Sequence, residues 1–308
     1  MQVLDRMGTQ DIVDGDTFVE QIRNRYALLN GGLCVEDEGR TIYTNSSHGL
    51  SEGCRACKAG TWICLPTTGW CNLTCDFCAR KPPKKDHDEH LYINTRSAVQ
   101  VVSDIMAENP KITGVSFSGG EFLLERDKVI SILTLFSKTA PAIYLWAYTN
   151  GKLVDSDILA KLKDAGLDEL RVNLAATDFS DEVLEKLILV KDIIGKVTVE
   201  IPSIPQVRKR LLDDGKLQIL IDCGVAQLNL AELMIHHQGT EGYVVGKEAY
   251  VYKSWLVSPT ESRFITVDII EYVVRNGLDI LVNDCSNDAK YLHLIRKRYG
   301  AKYRHGNN

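Results

Sequence analysis

The sequence predicts an α/β protein: a partial (β/α)6 TIM-like barrel with an N-terminal cysteine-rich segment and a C-terminal extension. Three observations predict it. Short apolar runs rich in valine, isoleucine and aromatic residues recur from Thr61 onward. Helical patterns separate those runs, and strands alternating with helices imply parallel βα units. A chain of 308 residues, 44% hydrophobic, supplies ample material for one large core.

The first sixty residues read as polar and irregular, with turn signals at Asn30-Gly31-Gly32, Glu38-Gly39 and His48-Gly49. One amphipathic helix is expected at 17–29. Strands are expected at 61–67, 112–117, 142–148, 169–174, 196–201 and 226–230. Helices are expected at 96–108, 125–137, 155–165, 180–192 and 207–222, the last weakened by Asp214-Gly215. A final helix, 266–276, leads to an extra strand at 279–282. The segment 239–259 breaks the rhythm and carries Tyr243, Tyr250, Tyr252 and Trp255. It reads equally as a lid over a substrate and as a packed insertion. Three units follow: 1–60, 61–238 as the core, and 239–308.

A net charge of −5 argues against a general nucleic-acid binder, which needs a basic face. No apolar run reaches membrane-helix length, and no signal-peptide pattern opens the chain, so a cytoplasmic location is expected. Nine cysteines in such a chain point to metal or thiol chemistry more than to disulfides.

The central motif is Cys71-Asn72-Leu73-Thr74-Cys75-Asp76-Phe77-Cys78, directly after the first strand. Three thiolates in a short loop can hold three irons of a four-iron cubane and leave the fourth open to a ligand. Tetrahedral zinc is the alternative, but structural zinc takes four ligands, usually in paired short spacings. The second strand ends in Ser118-Gly119-Gly120-Glu121, where two residues without Cβ permit close backbone approach to a ligand. One βα unit separates the two motifs, so both fall at the same end of the sheet.

Together these residues resemble the radical S-adenosylmethionine superfamily, over roughly residues 62–230. The resemblance implies one 4Fe–4S cluster on Cys71, Cys75 and Cys78, with S-adenosylmethionine chelating the open iron. It implies that Phe77 packs near the adenine. Ser118, Gly119 and Gly120 would face the cofactor ammonium, and Glu121 would support their turn. Thr149-Asn150-Gly151 is similar to the family's frequent Thr-Asn-Gly turn. Asn173 falls where the family often has a polar residue for the ribose or carboxylate, and Glu200 lies on the adenine-binding strand. The implied chemistry is reductive cleavage to a 5′-deoxyadenosyl radical, which takes hydrogen from a small metabolite or from an amino-acid residue of a peptide. A reducing partner such as flavodoxin or ferredoxin would supply the electron. A glycyl-radical-enzyme activase acting on a protein partner is a second reading, and a non-catalytic iron–sulfur electron carrier a third.

Cys54, Cys57 and Cys64, with Cys34 as a fourth thiol, read as a second iron–sulfur cluster, a structural zinc site or unliganded thiols. A strand of seven residues spans on the order of 20 Å, so a metal at Cys57 would lie far from one at Cys71. Cys285 reads as a hydrogen donor to a product radical, as a metal ligand or as a buried structural thiol. Asn229, Glu232, His236, His237 and Tyr243, at or beyond the sixth strand, are candidate substrate contacts.

Overall fold

The computed structural model describes residues 12–78, 93, 96–235, 240, 243, 247–253 and 256–299. Twelve strands are present among them. β1 is Ile12–Asp14, β2 Leu33–Glu36, β3 Thr41–Thr44, β4 Trp62–Thr68, β5 Gly114–Gly119 and β6 Tyr144–Thr149. β7 is Glu169–Val172, β8 Val197–Pro202, β9 Gln227–Ala231, β10 Ala249–Tyr252, β11 Leu256–Pro259 and β12 Leu281–Cys285.

Nine strands form one open sheet in the order β2-β3-β12-β9-β8-β7-β6-β5-β4. From β4 to β12 all neighbours are parallel, so the barrel portion has seven parallel strands rather than the six expected. The seventh is the predicted extra strand, which pairs along β9 from Leu281 to Cys285.

The N-terminal segment is more regular than its polarity suggested. β2 and β3 form an antiparallel hairpin that joins the main sheet through β12. Helix Gly15–Ala27 matches the predicted one, and a second helix, Glu52–Ala59, carries Cys54 and Cys57. Its eight residues are capped by the Ser51 side chain and stopped by left-handed Gly60. The apolar spacing is too short to announce a helix, which is why the caps are its only clear sequence signal.

The crossover helices follow the expected pattern: Ala98–Glu108, Arg126–Thr139, Ser156–Asp164 and Asp181–Ile194. The fifth is broken where Asp214-Gly215 predicted weakness. Gly215 has φ +70°, and helix Lys216–Asp222 starts after it. Helix Thr260–Arg275 begins six residues before its expected start, because β11 runs straight into it.

In the segment at 239–259, the described part is a packed insertion and not a lid. β10 and β11 form a hairpin that β1 extends in parallel, and Tyr250 and Tyr252 are buried. Trp255 lies outside the described residues. No described helix is long and apolar enough to cross a membrane.

The sheet has two chemically distinct faces. Leu170, Val172, Val199, Leu228, Leu230 and Val282 lie in the apolar core under the helices. The alternating residues Glu169, Arg171, Thr198, Glu200, Gln227, Asn229 and Asn283 face the lumen and hydrogen-bond to one another. Helix Glu52–Ala59 packs across this polar face near the start of β5 and β6. A Cβ on Gly53 would lie 2.6 Å from Arg171 Nη2, and one on Gly114 2.9 Å from Ala56.

Candidate active site

β4, β5 and β6 end at one rim, and their following turns interlock there. The carbonyls of Thr68 and Trp70, leading into the cysteine loop, accept hydrogen bonds from Gly120 N (2.7 Å) and Glu121 N (2.8 Å). The Gly-Gly pair makes this passage possible. A Cβ on Gly120 would stand 1.8 Å from the Trp70 oxygen, and Gly119 has φ +122°. The glycines are therefore required by the chain's own packing, besides any ligand.

Glu121 joins the turns. It is 1% exposed, accepts from Thr149 Oγ1 (2.8 Å), Asn150 N (2.9 Å) and Leu123 N (3.2 Å), and so ties β5 to the Thr-Asn-Gly turn after β6. Burial raises its carboxyl above the ordinary range against the pull of those three hydrogen bonds. Asn150 passes the connection on. Its Nδ2 donates to Asn72 Oδ1 (2.7 Å) and approaches Cys71 Sγ at 3.8 Å.

Cys71, Cys75 and Cys78 are half-buried in a loop closed by Cys78 N donating to the Cys75 carbonyl. Burial pushes the Cys75 thiol up to about 11, with Cys78, Cys71 and Asp76 adding to the rise. The three thiols are thus near enough to act on one another. All three line a cavity of about 690 Å³ shared with Phe77, Ser118, Gly119, Gly120, Glu121, Asn150, Asn173 and Glu200. Every residue expected at the cofactor is on its wall. Asn173 Oδ1 is buried there with no hydrogen-bond partner among the described residues, an acceptor left for a ligand. Tyr243 stands near the loop: burial raises its hydroxyl, and Asp76 and Cys75 add to the rise.

Other expected contacts lie elsewhere. Asn229 is fully buried among Gln227, Glu200, Cys54 and Asn283. Glu232 is buried too, bonded to the Tyr250 hydroxyl and to Asn287 N (2.6 Å). Neither is among the cavity-lining residues; both hold β9 and β12 to their neighbours. Cys285 ends β12, where Asn283 Nδ2 donates to its sulfur (3.0 Å), and it too is absent from the lining. His236 and His237 lie outside the described residues.

The extra cysteines are dispersed. Cys34 and Cys64 are on the two opposite edge strands of the open sheet, and Cys64 lines the cavity. Cys54 Sγ meets Gln227 Nε2 (3.1 Å), Arg171 Nη2 (3.4 Å) and Asn229 Nδ2 (3.5 Å). Cys57 Sγ lies 3.5 Å from His293 Nδ1, and burial pushes this thiol up to about 12. Among the described residues no three histidine, cysteine or acidic side chains converge to hold a metal ion.

The cavity floor contains residues that sequence reasoning missed: Trp62, Tyr148 and Arg171. Arg171 is 3% exposed and pairs with Glu169 (3.0 Å) and Glu200 (2.8 Å). The available signal was the period-two run Glu169-x-Arg171-x-Asn173, polar at every lumen-facing position.

Comparison with known proteins supports what this geometry suggests. Residues 65–202 match the model of the Radical SAM superfamily. This segment of the chain is thus similar to the radical S-adenosylmethionine domain. The cofactors of the superfamily are a 4Fe–4S cluster and S-adenosylmethionine. A putative glycyl-radical enzyme activating enzyme of Methanocaldococcus jannaschii is 32% identical over 195 residues, 60% of this chain and 50% of that protein. A probable GTP 3′,8-cyclase of Saccharolobus islandicus is 29% identical over 180 residues, 55% of this chain and 56% of that one. The chain thus spans about half the length of the curated relatives it matches. Among solved structures, Streptococcus suis SuiB bound to S-adenosylmethionine aligns over 78% of this chain and 55% of its own, with a TM-score of 0.53 at 12% identity. That likeness concerns the fold alone.

Proposed function

We propose that this chain is a radical S-adenosylmethionine enzyme whose Cys71, Cys75 and Cys78 hold a 4Fe–4S cluster, and that it takes hydrogen from a small metabolite or a peptide residue. The observation that carries the reading is the shared cavity, lined by the three thiols, the Ser118–Glu121 turn and Asn173 with its unsatisfied oxygen. The donor set fits the cluster. A cubane takes one thiolate per iron, so the three sulfurs need not meet at a point. When bound, the cluster and S-adenosylmethionine supply a one-electron cleavage of the sulfonium that leaves a carbon radical able to abstract hydrogen.

The chain's own residues bind and orient. Ser118 and the carbonyls of the Gly-Gly turn would meet the cofactor ammonium, while the N–H groups of Gly120 and Glu121 keep the cysteine loop in place. Asn173 Oδ1 would accept from the ribose or the amino group. Phe77, packed against the core, would flank the adenine. Asn150 braces Cys71 and Asn72. Glu121, buried and fully bonded, keeps the β5 and β6 turns in one register.

Anaerobic reconstitution with iron and sulfide, then reduction with S-adenosylmethionine present, should give 5′-deoxyadenosine and methionine. Cleavage that persists without Cys71, Cys75 and Cys78 would sink the reading. A second reading, activation of a glycyl-radical enzyme, has the name of the Methanocaldococcus relative in its favour. It requires a stable complex with a large protein partner, visible by size-exclusion chromatography. Either reading needs a reductant such as flavodoxin or ferredoxin.

A further inference from the structure

We propose that the floor of the cavity is a subsite for a protonated amine of the substrate, and that Glu200 is the residue that reads it. This rests on the radical S-adenosylmethionine reading for what lies above the floor.

Arg171 is the first group to consider, since a lone guanidinium in a cavity would favour an anionic substrate. Its donors are already taken. Nε donates to Glu169 Oε1 (3.0 Å); Nη1 donates to Glu200 Oε2 (2.8 Å) and the Tyr148 hydroxyl (3.3 Å). Nη2 donates to Ser51 Oγ (3.1 Å), Cys54 Sγ (3.4 Å) and Glu169 Oε2 (3.4 Å). A guanidinium has five N–H groups, and these acceptors account for all of them. No valence is left for a substrate carboxylate or phosphate.

The charge balance runs the other way. Two carboxylates, Glu169 and Glu200, share one guanidinium, so the triad is net negative by one charge. Glu169 is sealed from the cavity at 0% exposure. Glu200 keeps a quarter of its side chain exposed and lines the cavity. Its Oε2 accepts from both Arg171 and Asn229 (3.0 Å), and among the described residues Oε1 has no hydrogen-bond donor. The ion pair with Arg171 therefore fixes the carboxylate's orientation and leaves one oxygen for a ligand. Trp62 and Tyr148 line the same floor, and aromatic walls suit an ammonium better than an anion. Fixed in this way, an ammonium bound at Oε1 pays little reorganisation on the protein side.

The test uses the reconstituted holoenzyme and three probes of matched shape: phenethylammonium, phenethyl alcohol and 3-phenylpropionate. Dissociation constants are read by ligand-observed NMR with S-adenosylmethionine present. The ammonium should bind about tenfold or more tightly than either analogue. Glu200→Gln, which keeps the shape of the site, should bring the ammonium and the alcohol to within about twofold, whereas Glu200→Asp, retaining the charge, should keep a preference. Affinity for S-adenosylmethionine is read alongside in all three proteins. Equal binding of the three probes by the wild type overturns the proposal, as does a preference for the carboxylate. So does a loss of S-adenosylmethionine affinity in Glu200→Gln with the amine preference intact, which would assign Glu200 to the cofactor. Cofactor cleavage is scored separately. Preference without cleavage leaves the subsite standing and removes the function proposed above; cleavage without preference does the reverse.

Discussion

Two groups of cysteines flank strand β4, and the structure treats them differently. Cys71, Cys75 and Cys78 follow the strand in an irregular loop whose thiols line a cavity. Cys54 and Cys57 precede it on a capped helix, each sulfur meeting its own polar neighbours. The residue type is the same and the spacing similar. What differs is where each backbone spends its hydrogen bonds. The loop is suspended from the Gly-Gly-Glu turn by two carbonyls, and its thiols stand on the cavity wall. The helix bonds within itself and presents Cys54 to donors in the barrel lumen and Cys57 to the His293 ring. Cysteine spacing alone therefore does not separate a ligand loop from a structural plug; the surrounding donors do.

The sharpest way to break this contrast is to remove each group in turn. Replacing Cys71, Cys75 and Cys78 together by Ala should abolish 5′-deoxyadenosine formation and leave no iron bound. Replacing Cys54 and Cys57 by Ser should leave both nearly unchanged. Product analysis and iron and sulfide counts on the two variants read this out. About four irons remaining in the triple variant would place a second cluster on the other side of β4.

A smaller effect sharpens the account of the plug. Arg171→Met removes the cation shared by Glu169 and Glu200 and leaves buried charge uncompensated. The expected cost is about 3–5 kcal/mol of stability, read as a lower denaturant midpoint. A variant as stable as wild type would show that the lumen network carries no such strain.

Next in size is the suspension of the loop. Glu121→Ala strands the Thr149 hydroxyl and the Asn150 N–H, at about 1–3 kcal/mol for each buried group left unpaired. Calorimetry should show weaker S-adenosylmethionine binding besides the lower melting temperature, because the turns it joins form the cavity wall. A loss of stability with unaltered affinity would confine Glu121 to packing.

The last effect, absent at neutral pH, concerns the far side of the plug. Burial, with Lys58 and Arg296 adding to it, lowers His293 from 6.5 to about 3. The folded state therefore resists a proton that the unfolded chain accepts. Stability should fall as pH drops from about 6.5 toward 3, by at most about 1.4 kcal/mol per pH unit from this group. Glu169 adds in the same direction at the acid end. Burial alone would raise its carboxyl, but Arg171 and the Thr198 hydroxyl outweigh that and hold it below the ordinary range. Its contribution is present above the unfolded carboxylate pKa and is lost as pH falls through the lower folded value. Urea titrations of wild type and His293→Gln across this range should differ in slope; parallel slopes would remove His293 from the explanation.

Much of the barrel was legible because period-two strands and capped helices announce themselves locally. The core strands, the crossover helices and the break at Asp214-Gly215 all follow from runs of a few residues. The hairpin of β2 and β3 was not legible. Its strands are four residues each, and β3 reaches the main sheet by pairing with β12 from the other end of the chain. The partners of Asn229 and Glu232 were hidden for a related reason. A polar residue beyond a strand looks like a ligand contact until its buried partners, 54 to 55 positions away in sequence, come into view.

The amino-acid sequence by itself determined the two motifs and their common rim: three thiols after one strand, Gly-Gly-Glu after the next, both at the ligand end of a parallel sheet. Those are consequences of local spacing and of the handed βα repeat. Only the tertiary structure decided which glycine is needed for which contact, that Arg171 is saturated and so closed to anions, and that Cys54 and Cys57 face separate polar groups. These depend on side chains brought together from strands and helices distant in sequence, and no local pattern encodes which of a buried group's hydrogen bonds remain unspent.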